Sequence, residues 1–333
     1  MALINDHYGA LTLGASGLHG LDGLRVHQDP LSGELALAHN AQRLGLTGRH
    51  RQLPLDAELV NAAEVVLIQA PKSLDALREA AELIAGNADP DVTVYLGGRV
   101  KHLSLSSNEV LRASFGEVVP GLARQKSRVI TARKPRQDAP GSSFPRREYL
   151  AEAGLWVCAH GAVFAGAKLD LGTRQLLATL DRLAPGTGAA GTAIDLGCGT
   201  GILAAALAKA RPELTVLATD ESAAAVASAQ ATMLANGLAD RVSVRRADAM
   251  SGFADASADL IVCNPPFHVG ATVNPAAALK LFRAAGRVLR SGGQLWTVFN
   301  SHLDHQRSLE RLIGSTRQAH RDPKFTVTVS VRR

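Results

Sequence analysis

Thr192-Ala193-Ile194-Asp195-Leu196-Gly197-Cys198-Gly199-Thr200-Gly201-Ile202 decides the fold. Its first part, Thr192–Leu196, is a short apolar run closed by glycine and reads as a buried strand. Residues 202–209 are rich in Ala and Leu and read as a helix. Between them, Gly197, Gly199 and Gly201 permit a sharp turn and let backbone amides approach a ligand. Strand, glycine turn and helix in that order open an α/β sheet, and such sheets take ligands at the carboxyl ends of their strands. The dinucleotide fingerprint asks for G-x-G-x-x-G. Here Ile202 holds the sixth place, giving G-x-G-x-G preceded by Asp195, and this counts against a nicotinamide dehydrogenase.

Downstream the rhythm repeats. Residues 215–219 read as a strand ending at Asp220-Glu221, where a carboxylate can accept both hydroxyls of a ribose. A helix over 223–236 stops at Gly237, and a strand over 242–245 ends near Asp248-Ala249. An acid there suits an adenine amine, and a small neighbour leaves room for its ring; the bland alternative for Asp248 is a surface acid. Residues 260–263 form another apolar strand. A helix over 276–289, Ser291-Gly292-Gly293, a strand over 294–299, a helix over 303–313 and a β run over 325–331 complete the chain. Strands alternating with helices imply a mostly parallel, doubly wound sheet.

The strand at 260–263 ends in Asn264-Pro265-Pro266-Phe267-His268. Neither proline donates to a ladder, and Pro265 pushes Asn264 out of the helical region. Asn264 therefore stands on a stiff corner at a strand's carboxyl end. An exocyclic aromatic amine is a poor nucleophile because its lone pair is delocalised. The Asn264 oxygen and the Pro265 carbonyl can accept its two N–H bonds, and Phe267 can stack on its ring. Such catalysis is positioning with placed acceptors. In isolation Asn-Pro-Pro reads first as a proline-capped strand before an ordinary turn; its position after the glycine loop reverses that reading. His268 is read as structural rather than as a base.

The first half carries a fainter copy. Residues 65–68 read as a strand ending at Gln69-Ala70-Pro71, and Ser73 caps a helix over 74–84. A strand over 92–96 closes at Gly97-Gly98; a helix over 107–114 and β pieces at 118–119 and 127–132 follow. The order matches the second half from Asn264 onward, with Gln69 in place of Asn264 and no glycine-rich loop ahead of it. Residues 1–60 show no clear pattern. Residues 133–150 hold Pro135, Pro140, Gly141, Ser142, Ser143 and Pro145 among many arginines and read as a linker, either a solvated connector or a phosphate-contacting strip.

A chain of 333 residues suits two domains, and its formal charge of +6 favours a polyanionic partner. The dispersed Cys158, Cys198 and Cys263 give neither a disulfide framework nor a metal site, so no metal is expected and a reducing cytoplasm fits. The start, Met1 to His7, lacks a charged-then-apolar leader, and no apolar run reaches the ~20 residues of a membrane span.

The ordered set Asp195, Gly197-Cys198-Gly199, Gly201, Asp220-Glu221, Asp248-Ala249 and Asn264 to Phe267 resembles class I S-adenosylmethionine-dependent methyltransferases. Phe267-His268, Gly161-Ala162-Val163-Phe164 and Leu169-Asp170-Leu171-Gly172-Thr173-Arg174 resemble the bacterial ribosomal RNA guanine-N2 methyltransferases. Ala70-Pro71-Lys72-Ser73-Leu74, Gln125-Lys126-Ser127-Arg128-Val129-Ile130, Asp220-Glu221-Ser222 and Ser301-His302-Leu303-Asp304 resemble the large-subunit (23S) member more than the small-subunit (16S) one. Ala162, where the family usually has Val, and Ser301, where it often has Arg, are departures.

The resemblance implies two tandem Rossmann-like methyltransferase domains. Residues 1–135 are then a degenerate RNA-binding or scaffold domain, 136–150 a linker and 151–333 the catalytic domain. S-adenosyl-L-methionine is the implied cofactor. Asp195 lies at its amino-acid end, Gly197, Cys198, Gly199 and Gly201 form its loop, Asp220 and Glu221 take the ribose, and Asp248 and Ala249 take the adenine. Asn264, Pro265, Pro266 and Phe267 receive the target amine of a ribosomal RNA guanine. Arg174 and Lys168 are candidate phosphate contacts, and a monomer is expected. The expected substrate is 23S ribosomal RNA; guanine-N2 methylation of 16S ribosomal RNA, methylation of protein glutamine or DNA adenine, and an RNA-binding assembly factor with a vestigial site remain alternatives.

Overall fold

Two seven-stranded sheets with one strand order underlie the computed structural model, which describes residues 1–137, 141–179, 191–266, 268–269, 272–273, 275–303 and 305–333. The chain divides into two compact units, Met1–Phe144 with His160–Ala162, and Pro145–Ala159 with Val163–Arg333.

The first unit begins β1 (Ala2–Ile4), α1 (Ala10–His19), β2 (Leu24–His27), α2 (Leu31–Arg43), β3 (His50–Gln52) and α3 (Ala57–Val60). It continues β4 (Val65–Gln69), α4 (Leu74–Asn87), β5 (Thr93–Arg99), α5 (Leu105–Ser114), β6 (Phe115–Pro120) and β7 (Ser127–Pro135). Its sheet runs β3-β2-β1-β4-β5-β7-β6, parallel except that β7 is antiparallel to both neighbours. Ser73 caps α4 through its hydroxyl, as its position predicts, and Leu77, Ala80, Ala81 and Ile84 are buried.

The second unit opens with the hairpin β8 (Arg146–Leu150) and β9 (Leu155–Ala159), then α6 (Leu171–Leu177). β10 (Thr192–Leu196), α7 (Ile202–Ala210), β11 (Thr215–Asp220), α8 (Ala223–Ala235), β12 (Val242–Arg246) and β13 (Ala258–Cys263) follow. The short antiparallel pair β14 (His268–Val269) and β15 (Thr272–Val273) precedes α9 (Pro275–Val288). β16 (Leu289–Asn300), α10 (Gln306–Leu312), β17 (Thr316–Arg321) and β18 (Phe325–Val331) complete it. The order is β12-β11-β10-β13-β16-β18-β17, again with an antiparallel pair of joins at β18.

Alternation along the strands builds a core on each sheet face. Ala193, Val216, Leu260, Val262 and Trp296 pack with α7, α8 and β9 on one side, and Ile194, Ile261, Cys263, Leu295 and Phe299 with α9 and α10 on the other.

Several expectations shift. Gly97-Gly98 and Gly292-Gly293 lie inside β5 and β16 rather than ending or preceding them, because antiparallel partners continue the ladder. Arg146–Leu150, within the stretch read as irregular, pairs as β8, and Arg147 stacks on Trp156 at 4.3 Å. Asp170 caps α6 at Leu171 through its carboxylate. The helix read from 303 begins at Gln306.

The blank first sixty residues hold three strands and three helices. Residues 5–9 link β1 to α1 as residues 197–201 link β10 to α7, in loops of equal length. Each ends on a left-handed glycine N-cap, Gly9 of α1 or Gly201 of α7, lying against the next helix along the chain, at Leu37 of α2 or at Ala229 and Met233 of α8.

Candidate active site

Parallel register brings the site together. Leu196 of β10 pairs with Thr219 of β11 on one side and with Cys263 of β13 on the other. The glycine loop, Asp220 and Asn264 therefore emerge side by side at one edge of the sheet, the carboxyl end where α/β folds bind ligands.

The loop folds on its own backbone. The Gly197 and Cys198 N–H groups donate to the Thr219 carbonyl at 2.8 and 3.0 Å, and Gly201 N–H to the Cys198 carbonyl at 2.8 Å. Gly197 and Gly199 have φ of 75° and 53°, and a Cβ on either would meet nothing within 4 Å, so this side of the loop is open. Beneath it, Asp195 is buried and accepts from Ala204 N–H at 2.9 Å. Burial, then the nearby Asp220 charge, pushes the Asp195 carboxyl up to about 7, against the pull of the Ala204 N–H.

Asp220 is fixed by backbone. Its Oδ2 accepts from Gly199 N–H and its Oδ1 from Ser222 N–H, each at 3.0 Å. These bonds fix the orientation of the carboxylate beside the loop. Glu221 follows at the turn, and its carbonyl accepts from Arg246. Asp248 sits in the turn after β12, ion-paired to Lys280 of α9 at 2.6 Å from Oδ1. Ala249 beside it is left-handed, with φ 46°.

Asn264 carries the central detail. Its Nδ2 donates to Asp170 Oδ2 at 2.9 Å and to Thr173 Oγ1 at 3.0 Å. Its Oδ1 is buried and, among the described residues, has no hydrogen-bond partner. The side chain as a whole is half-buried, Pro265 is buried and Pro266 exposed. Thr297 of β16 donates its hydroxyl to the Cys263 carbonyl at 2.9 Å, anchoring the corner just before Asn264.

Phe267, expected to stack on the target ring, lies outside the described residues, as does the side chain of His268. Arg174, a candidate phosphate contact, is ion-paired to Glu152 at 2.8 Å. Sequence reasoning noticed Asp170-Leu171-Gly172-Thr173 only as a resemblance and gave these residues no role. The signal was the Asp-x-Gly-Thr pattern of a helix N-cap. Lys280 and Thr297 carried no signal, since only the fold brings them to the site.

The open glycine loop, the buried Asp195, the strand-end Asp220 and the proline-stiffened Asn264 lie together at this end of the sheet. A family model described as Methyltransferase small domain matches residues 154–329, and one described as RLMG N-terminal domain matches residues 1–136. A Ribosomal RNA large subunit methyltransferase G of Pseudomonas paraeruginosa is 36% identical over 327 residues, covering 98% of this chain and 85% of that one. Its namesake from Streptomyces coelicolor is 34% identical, covering 100% and 88%. The chain belongs to the ribosomal RNA large subunit methyltransferase G family. A T. thermophilus 16S rRNA N2 methyltransferase, solved with AdoMet and guanosine, shares the fold with TM-score 0.77 at 24% identity, covering 100% of this chain and 88% of that one. No helix among the described residues is long and apolar enough to cross a membrane.

Proposed function

We propose that this chain transfers a methyl group from S-adenosylmethionine to the exocyclic N2 amine of a guanine in 23S ribosomal RNA. The carrying observation is an Asn264 whose Oδ1 is buried and unpartnered among the described residues, just past the end of the strand that pairs with the one leading into the open glycine loop. A buried acceptor left unmade is costly, so a site that keeps one is built for a donor that arrives. Membership of a family whose relatives are named for large-subunit ribosomal RNA supports the substrate class.

Bound S-adenosylmethionine supplies a methyl group made electrophilic by its sulfonium. The chain's residues fit it. The open side of Gly197-Cys198-Gly199 accommodates a closely approaching ligand, with Gly201 starting the helix behind it. Asp195 lies under the amino-acid end. Asp220, held by two amides, and Glu221 take the ribose hydroxyls. Asp248 and Ala249 take the adenine; the ion pair to Lys280 is partly exposed, so exchanging it for a ligand donor costs about 1 kcal/mol or less.

Asn264 Oδ1 and the Pro265 carbonyl accept the two N–H bonds of the target amine and turn its lone pair outward, with Pro266 stiffening the corner and Phe267 stacking on the ring. The guanine enters unstacked from its RNA. The amine's lone pair takes the methyl, and the proton, acidic once nitrogen carries that methyl, passes to water, so no strong base is needed.

Residues 1–135 serve as a degenerate methyltransferase-like domain for RNA binding, 136–145 as a linker and 146–333, from β8 onward, as the catalytic domain. The shared strand order supports this. So does Asp6, whose carboxylate lies in the loop after β1 and accepts from Leu11 and Thr12 N–H at 3.0 and 2.7 Å, occupying the helix start itself. The protein acts as a cytoplasmic monomer without a metal ion. Tritiated methyl transfer to naked 23S RNA, 16S RNA, assembled large subunits, DNA and release factor tests the reading. Label in 23S RNA, naked or assembled, is the expected result; label only in 16S RNA, DNA or release factor contradicts it.

A further inference from the structure

We infer that Asp170 and Thr173 are positioning residues that decide which end of the Asn264 amide faces the incoming amine. The inference rests on the reading of Asn264 as the amine's acceptor. An Asn amide has two ends of nearly equal size, one accepting and one donating, exchanged by a half-turn of χ2. Only the oxygen end holds an N–H; the other aims two donors at the substrate's own donors. A proline-stiffened corner fixes the backbone of Asn264 but leaves that half-turn undecided.

The neighbours decide it. Asp170 Oδ2 accepts from Gly172 N–H at 2.9 Å and from Thr173 N–H at 3.2 Å, so it is already committed as an acceptor at the start of α6. The same oxygen lies 2.9 Å from the amide of Asn264, and Thr173 Oγ1 lies 3.0 Å from it. A carboxylate only accepts, so the amide end against it is the NH2 group. Both of that group's hydrogens are then spent, one on each partner. Turning the amide over would set its oxygen against the carboxylate oxygen. Oδ1 is thereby held as the outward function, and it is the atom without a partner among the described residues. A preorganised acceptor of this kind costs no reorganisation at the moment of reaction.

The test is a double-mutant cycle on kcat in the full chain with 23S RNA, with the cofactor Kd measured in parallel. Asp170→Ala is expected to lower kcat about 100-fold while the cofactor Kd stays within about twofold, the scale for losing one preorganised group. Asp170→Asn keeps an acceptor oxygen and is expected to restore most of the rate. In an Asn264→Ala background, Asp170→Ala is expected to cause no further loss, because the amide it orients is gone. An equal loss in both backgrounds, or an Asp170→Ala enzyme at full kcat, overturns the inference and leaves the Asn264 reading standing. Asn264→Ala at full kcat overturns that reading itself. Where Asp170→Ala gives no cooperative melt, Thr173 decides with the cap intact. Thr173→Val is expected to lose about 10-fold in kcat and Thr173→Ser to recover it; a Val enzyme equal to wild type overturns the inference.

Discussion

A Cβ on Gly172 would stand 3.1 Å from Asn264 Oδ1 and 3.3 Å from its Nδ2. The helix start that orients the amide thus leaves no spare room beside it. Gly172→Ala forces the amide or the cap to yield by a few tenths of an ångström. Misplacement by 1 Å costs about 100-fold in rate, so a smaller shift is expected to lower kcat about 10-fold with cofactor affinity unchanged. Single-turnover methyl transfer with a cofactor titration checks this.

Gly201 tests the loop's support rather than the acceptor. Its φ is 77°, and a Cβ there would lie 2.8 Å from Met233 Cε and 3.2 Å from the Ala229 backbone. Gly201→Ala combines a left-handed alanine with a clash between α7 and α8. The expected cost is about 2 kcal/mol of stability, read as a lowered urea midpoint with unchanged slope, and weakened cofactor binding accompanies it.

Asp195 makes the cofactor-free protein pH-sensitive. Its carboxyl rises from an ordinary 3.8 to about 7 on folding, chiefly through burial. Between those values the folded chain holds a proton that the unfolded chain has released. The stabilisation is therefore complete below about pH 4 and is lost as pH rises through about 7, on the order of 4 kcal/mol in all. Wild-type urea midpoints are expected to fall between pH 5 and 7. Asp195→Asn, which keeps an acceptor for Ala204 N–H, is expected to flatten that fall; parallel curves would contradict the assignment.

Burial raises the thiols of Cys158, Cys198 and Cys263, and the charges of Asp195 and Asp220 push the last two further. The thiolate is the reactive form. An aromatic disulfide reagent at pH 8 is expected to label none of the three rapidly in the native chain and all of them in denaturant. Rapid native labelling of Cys198 would show the glycine loop to be more open than described.

The second half was legible because its demands are local. Gly197, Gly199 and Gly201 answer a backbone need, and Asn264 is marked by the prolines beside it. Asp170 was not legible as a partner of Asn264, since the two lie 94 positions apart and only the fold joins them. Lys280 beside Asp248 is the same case. In the first unit, β3 is His50-Arg51-Gln52, with no apolar alternation to betray a strand. The loop at residues 5–9 has the length and final glycine of 197–201 but none of its earlier glycines, so a motif reading passes over it. Gly97-Gly98 ended a strand on paper because glycine weakens strands, whereas β7 pairs straight across both.

The central claim is that Asn264 Oδ1 receives the amine of a guanine. Nucleoside mass analysis of 23S RNA incubated with the protein and S-adenosylmethionine tests it most directly, with Asn264→Ala run alongside. The account predicts N2-methylguanosine from the wild type and none from the variant at equal cofactor affinity. Any other methylated nucleoside, or undiminished N2-methylguanosine from the variant, contradicts it.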